Sequence, residues 1–142
     1  MTIAVILSSK GNEVATIAAD ASVADAVALL SERRIGALPV VEDGRITGIM
    51  SERDIIYCLR EHGADVLGWP VSRIMTSPAV TVEPETAVLT ALATMTRRRI
   101  RHLPVVEGAQ IRGIVSIGDL VKHRIEMIEE EAQAMRAYIQ GS

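Results

Sequence analysis

The strongest constraint on this chain is that it contains a long stretch of itself twice. Sliding the sequence by 65 positions places Ile35-Gly36-Ala37-Leu38-Pro39-Val40-Val41-Glu42 on Ile100-Arg101-His102-Leu103-Pro104-Val105-Val106-Glu107. The same shift places Gly48-Ile49-Met50-Ser51 on Gly113-Ile114-Val115-Ser116 and Asp54 on Asp119. From Thr16 to Asp54, 17 of 39 positions match their partners without a gap, against about two or three expected by chance. The chain is a tandem duplication. Its 142 residues suit one compact unit or two small ones sharing a core.

Each copy reads as β-α-β-β-α. Thr16-Ile17 and Thr81-Val82 are short extended segments. Val23, Ala26, Val27 and Leu30, like Val88, Ala91, Leu92 and Met95, keep one apolar helical face. Ser22 with Asp25 three residues on has the form of a capping box, and Arg33-Arg34 and Arg97-Arg98-Arg99 close these helices where cations suit the dipole. Two β-rich runs follow, Leu38–Val41 and Ile46–Met50, separated by the turn signal Glu42-Asp43-Gly44-Arg45; their counterparts are Leu103–Val106 and Ile111–Val115. A second helix begins after Ser51 or Ser116 as N-cap. The fold class is α/β (α+β), divided as residues 1–62 for the first repeat with its N-terminal segment, 63–78 for a Gly- and Pro-bearing linker, 79–125 for the second repeat and 126–142 for a helical extension.

That extension belongs to one long helix over Asp119–Ile139. Val121, Ile125, Ile128, Ala132, Met135 and Ile139 are spaced alternately by four and three, a heptad-like seam too short to identify a coiled coil. It either packs on its own domain or meets a second copy.

Composition narrows the partners. Hydrophobic residues are 49% and charged residues 23%, so the chain can bury a core, but with no Phe, one Trp and two Tyr that core is aliphatic. The scarcity of aromatic stacking platforms and a net charge of −3 argue against nucleic acid as a partner. Cys58 stands alone, Ile3–Leu7 is too short for a signal-peptide core, and no apolar run approaches membrane-spanning length. A cytoplasmic protein without membrane contact is expected. No P-loop, Rossmann glycine pattern, nucleophile elbow or zinc spacing of His62, His102 and His123 is present, so neither an enzyme nor a catalytic cofactor is expected.

Two such units, each with Leu-Pro-Val-Val followed by Gly-Ile-x-Ser-x-x-Asp, resemble the tandem CBS domain pair, or Bateman module, over roughly Met1 to Ile125, and the tail is similar to that of stand-alone bacterial members. The resemblance implies two units packed through their sheets about a pseudo-twofold axis. It also implies clefts that bind AMP, ADP, ATP, NAD(H) or S-adenosylmethionine, a homodimer, and a role as a sensor signalling to an unidentified regulated protein. The opposing expectation is a ligand-free dimeric scaffold.

The resemblance also assigns residues. Asp119 and Asp54 match the aspartate that holds the ribose hydroxyls, and Ser116 and Ser51 can cap their helices and offer a hydroxyl to phosphate at the electropositive helix start. The same Ser-Asp pair is what any well-made helix start contains. Thr16 and Thr81, with backbone near Ala37 and Leu103, match adenine contacts, although Thr is also simply a good β-former. Arg101 and His102 stand where the first copy has Gly36 and Ala37. They match phosphate-contacting positions, with Arg53 and also Lys122 or Arg124 as assistants; the alternative is a solvated basic helix end. The asymmetry implies that phosphate charge is handled mainly by the second copy and that the first site, with Gly36-Ala37, is weaker, differently liganded or empty.

Overall fold

In a computed structural model, residues 1–11 and 13–141 are described; Ser142, the last residue of the expected extension, lies outside them. An N-terminal helix α1 (Ile3–Lys10) precedes the first repeat, which runs α2 (Val23–Arg33), β1 (Ala37–Glu42), β2 (Arg45–Ser51) and α3 (Glu52–His62). Two short 3₁₀ turns, Gly63–Gly68 and Val71–Arg73, connect it to α4 (Val88–Arg98), β3 (His102–Glu107), β4 (Gln110–Ser116) and α5 (Ile117–Gly141).

Local chemistry explains these limits. The Ser22 hydroxyl accepts from the Asp25 N–H at 3.1 Å and starts α2, whose Val23, Ala26 and Leu30 are buried. Arg34 and Arg99 end α2 and α4 in the left-handed conformation, φ 53° and 55°, returning their N–H groups to the last turn. Between β1 and β2, Asp43 and Gly44 both have positive φ (52° and 77°), as a two-residue hairpin turn matched to strand twist requires. The expected first strand of each copy reduces to one bridging residue. The Ile17 N–H donates to the Pro39 carbonyl and its own carbonyl accepts from Val41, and Val82 does the same with Pro104 and Val106.

The two hairpins form one antiparallel sheet in the order β1-β2-β4-β3. Each carries an irregularity at the same place, Val40/Val41 and Val105/Val106, so even this detail is duplicated. The two hairpins meet at Arg45 opposite Gln110, where the Ile46 N–H also donates to the Ala109 carbonyl at 3.4 Å. The buried residues accordingly form two clusters instead of a shared core. One comprises the first repeat with Val66 and Val71 of the connecting segment; the other comprises the second repeat with Ile3, Ile6 and Leu7. Although α1 precedes the first repeat in the chain, it packs against the second: the Ile3 and Ala4 N–H groups donate to the Thr86 and Pro84 carbonyls.

Helix α5 runs slightly beyond the expected Asp119–Ile139 at both ends. Leu120 joins the second core, while Val121, Ile125, Ile128 and Met135 of the seam are 43–61% exposed. No helix among the described residues is long and apolar enough to cross a membrane.

Candidate functional site

The chemistry of the site begins where β2 enters α3. Ser51 is the N-cap, and the capping box is complete: Ser51 Oγ accepts from the Asp54 N–H and Asp54 Oδ2 accepts from the Ser51 N–H, both at 3.1 Å. The box fixes the Asp54 carboxylate in the first turn of α3, among N–H groups that favour negative charge. It leaves Oδ1 with only a long 3.4 Å contact from the Thr76 hydroxyl.

Thr76 reaches this carboxylate because its backbone pairs with Ile49 of β2, N–H to carbonyl in both directions at 2.9 Å. Gly48 permits the approach. A Cβ there would lie 2.8 Å from the Thr76 carbonyl oxygen and the Met75 sulfur.

Opposite Asp54 stands the entry to β3 from the second repeat. A cleft of about 180 Å³ is lined by Gly36, Ala37, Ile49, Ser51, Glu52, Arg53 and Asp54 of the first repeat, by Thr76 of the connecting segment, and by Val80, Arg99, Ile100, Arg101 and His102 of the second repeat. Arg53 Nη1 donates to the Arg99 carbonyl across the cleft at 3.3 Å. The His102 ring lies 3.0 Å from where a Cβ on Gly36 would be, so the small residue in the first copy makes room for the large one in the second. Burial lowers the His102 pKa and the nearby Arg101 and Lys10 act in the same direction, against the opposing pull of Glu52 and Asp119.

The structure therefore brings together six of the expected site residues: Ala37, Ser51, Arg53, Asp54, Arg101 and His102. The basic pair of the second copy lines the same cavity as the carboxylate of the first, while the charges of Glu52 and Asp119 reach His102. Asp119 and Ser116 repeat the capping geometry at the other end of the pseudo-symmetry, with Ser116 N–H to Asp119 Oδ2 at 2.8 Å and Asp119 N–H to Ser116 Oγ at 3.2 Å. There, however, Lys10 of α1 places Nζ 2.6 Å from Asp119 Oδ2. Burial pushes the Asp119 carboxyl up, but hydrogen bonds from Lys10 and Ser116 and the Lys10 charge outweigh it and hold the group below the usual carboxylate range.

The remaining expectations fall outside the lined cleft. Leu103 is fully buried in the second core, leaving only its backbone for contact. Thr81 is half-buried and Thr16 exposed, each one residue before a bridging position. Lys122 and Arg124 are exposed on α5, and neither lines the cleft. Six lining residues were not assigned to the site from the sequence, Ile49, Glu52, Thr76, Val80, Arg99 and Ile100, and Gly36 entered only as the residue standing where the second copy has Arg101. Glu52 and Arg99 were visible as neighbours of quoted motifs. Thr76 and Val80 lie in and just after a segment that reads as a connector.

Comparison with known proteins agrees with this architecture. The family model of the CBS domain matches residues 8–61 and again 71–126. The chain is 41% identical over 127 residues to the mitochondrial CBS domain-containing protein CBSX3 of Arabidopsis thaliana, covering 86% of this chain and 62% of that protein, so it spans less than two thirds of this relative. It is 33% identical over 113 residues to the CBS domain-containing protein YhcV of Bacillus subtilis, covering 80% of each. Among solved structures, the CBS-domain containing protein ATU1752 of Agrobacterium tumefaciens superposes with a TM-score of 0.84 at 36% identity, covering 87% of this chain and 99% of that one. The CBS domain pair of protein MJ0100, solved in complex with 5′-methylthioadenosine and S-adenosyl-L-methionine, shares the fold at a TM-score of 0.79 and 23% identity, covering 89% of this chain and 98% of that one. With two family matches in register with the two structural repeats, the chain belongs to the CBS-domain family and is a tandem CBS pair.

Proposed function

We propose that this chain is a regulatory, non-catalytic module that binds an adenine nucleotide in the cleft between Asp54 and Arg101-His102. One observation carries the reading: a carboxylate held by the first repeat and a basic group held by the second face each other across one cavity. Oδ1 of Asp54, held by nothing closer than the Thr76 hydroxyl at 3.4 Å, suits the vicinal hydroxyls of a ribose. Arg53, Arg99, Arg101 and His102 suit phosphate oxygens, the guanidinium groups by paired donors. Ile49, Val80 and Ala37 offer an apolar slot for the base. The adenosine compounds held by the CBS pair of protein MJ0100 support the same ligand class here.

Because the ligand touches both repeats, it shifts their relative arrangement by as much as its affinity differs between the two states. That difference is the signal passed to a regulated partner. A thermal-shift panel of AMP, ADP, ATP, NAD⁺, NADH and S-adenosylmethionine tests the reading. A ligand at about a hundred times its dissociation constant adds about 2.7 kcal/mol, a shift of several degrees for a chain of this length. A flat panel on nucleotide-free protein rejects it.

The exposed seam on α5 favours a second copy as an additional partner. Its apolar residues recur every three and four positions and its glutamates lie off the seam, which makes the stripe self-complementary. Ile128→Glu, on a half-exposed position outside both cores, is expected to give a monomer in light scattering where the wild-type chain is a dimer.

A further inference from the structure

We propose that Lys10 is an internal occupant of the second cleft, a gate that holds Asp119 and competes with any nucleoside for it. This rests on the reading of Asp54 as a ribose-binding carboxylate, because Asp119 is its counterpart in the duplication. The geometry of the two positions carries the argument. In the first repeat the Ile49 carbonyl accepts from the Thr76 N–H at 2.9 Å, and the Thr76 hydroxyl stands 3.4 Å from Asp54. In the second repeat a single ammonium does both: Lys10 Nζ donates to the Ile114 carbonyl at 2.9 Å and to Asp119 Oδ2 at 2.6 Å. Ile114 is the counterpart of Ile49. A hydroxyl at 3.4 Å leaves its carboxylate available; an ammonium at 2.6 Å occupies and neutralises it.

The gate is built into the fold. Lys10 is the last residue of α1, and α1 is anchored in the second core by Ile3, Ile6 and Leu7. Leu7 fits against β4 because residue 113 is glycine: a Cβ there would lie 2.7 Å from Leu7 Cδ2. In the duplication the counterpart of Arg53, beside Asp54, is Gly118, beside Asp119. With glycine in place of that arginine, the ligand class proposed for Asp119 is an adenine nucleoside, whose ribose hydroxyls the carboxylate would hold once Lys10 leaves it. Since the side chains of Lys10 and Asp119 remain 37% and 27% exposed, the gate is one that a ligand can displace.

Two measurements test this. The chain contains only two lysines, Lys10 and Lys122, so timed acylation with acetic anhydride and mass spectrometry reads Lys10 against an internal reference. Lys10 is expected to react more slowly than exposed Lys122, and Asp119→Asn to raise its rate about two- to fivefold. Separately, calorimetric titration with adenosine in an Asp54→Ala background, which silences the first cleft, is expected to show binding about five- to tenfold tighter when Lys10→Met is added. Equal Lys10 rates in wild type and Asp119→Asn, or identical adenosine titrations with and without Lys10→Met, overturn the proposal. The first cleft is judged independently by titrating the wild-type chain with AMP, so failure there does not count as failure of the gate.

Discussion

The two repeats share 17 of 39 aligned residues and the same hairpin irregularity, yet the surroundings of their capped aspartates differ. In the first, a capped aspartate faces arginines and a histidine contributed by the other repeat. In the second, the same capped aspartate faces a lysine from the N-terminal helix. What differs is what stands opposite the motif. The capping box is local and was copied with the duplication; the partner that reads its carboxylate comes from elsewhere in the chain and was free to diverge.

The largest expected consequence lies in ligand binding. Asp54→Ala removes hydrogen bonds between a charged acceptor and a ribose, worth about 1.5–3 kcal/mol, and so weakens AMP about ten- to a hundredfold in calorimetry. Asp119→Ala, whose carboxylate is held by Lys10, is expected to leave AMP affinity within about twofold. Reversed effects would show that the second cleft is the working one.

Sterics give the next contrast. Gly48 and Gly113 are counterparts, and each admits a close neighbour, but the neighbours differ in kind. At Gly48 the obstacle is partly backbone, the Thr76 carbonyl at 2.8 Å, fixed by its pairing with Ile49. At Gly113 it is the methyl end of Leu7 at 2.7 Å, which can turn aside. Gly48→Ala is expected to destabilise the chain by about 1–3 kcal/mol in urea unfolding, and Gly113→Ala by less than about 1 kcal/mol. Equal costs would mean that α1 is held as rigidly as the connecting segment.

How much of this was legible in the sequence follows from the same distinction. The repeat shows at one fixed offset and the hairpins and helix caps are local patterns readable from spacing, whereas the ribose role of the aspartates came from the resemblance. The helix α1 was not read, because Ile3–Leu7 shows only that it is apolar; its buried set, Ile3, Ile6 and Leu7, has helical spacing, but five apolar residues in a row conceal it. Lys10 lies 109 residues from Asp119, so nothing in its neighbourhood marks it as a partner. Thr76 is positioned by pairing with Ile49, an interaction that a connector rich in Gly and Pro does not announce. The resemblance named Arg101 and His102 as phosphate contacts, but the offset says only which residues are equivalent, not which repeat's carboxylate they meet.

The smallest effect expected is one of pH, and it turns on the proton that His102 brings. In the folded chain burial, Arg101 and Lys10 lower its pKa more than Glu52 and Asp119 raise it. A group whose folded pKa is depressed contributes stability above its unfolded value, near 6.5, and loses it as pH falls through that value toward the folded one. The wild-type chain is therefore expected to lose stability between about pH 6.5 and the lower folded value, and His102→Gln to lose less over that interval. A phosphate bound beside the ring reverses the balance, since an anion favours the imidazolium and raises the pKa. AMP binding near pH 6 should then take up a proton, visible as a dependence of the calorimetric heat on the ionisation enthalpy of the buffer. Heats of AMP binding that are independent of buffer would place the phosphate away from His102 and leave Arg53, Arg99 and Arg101 to hold it.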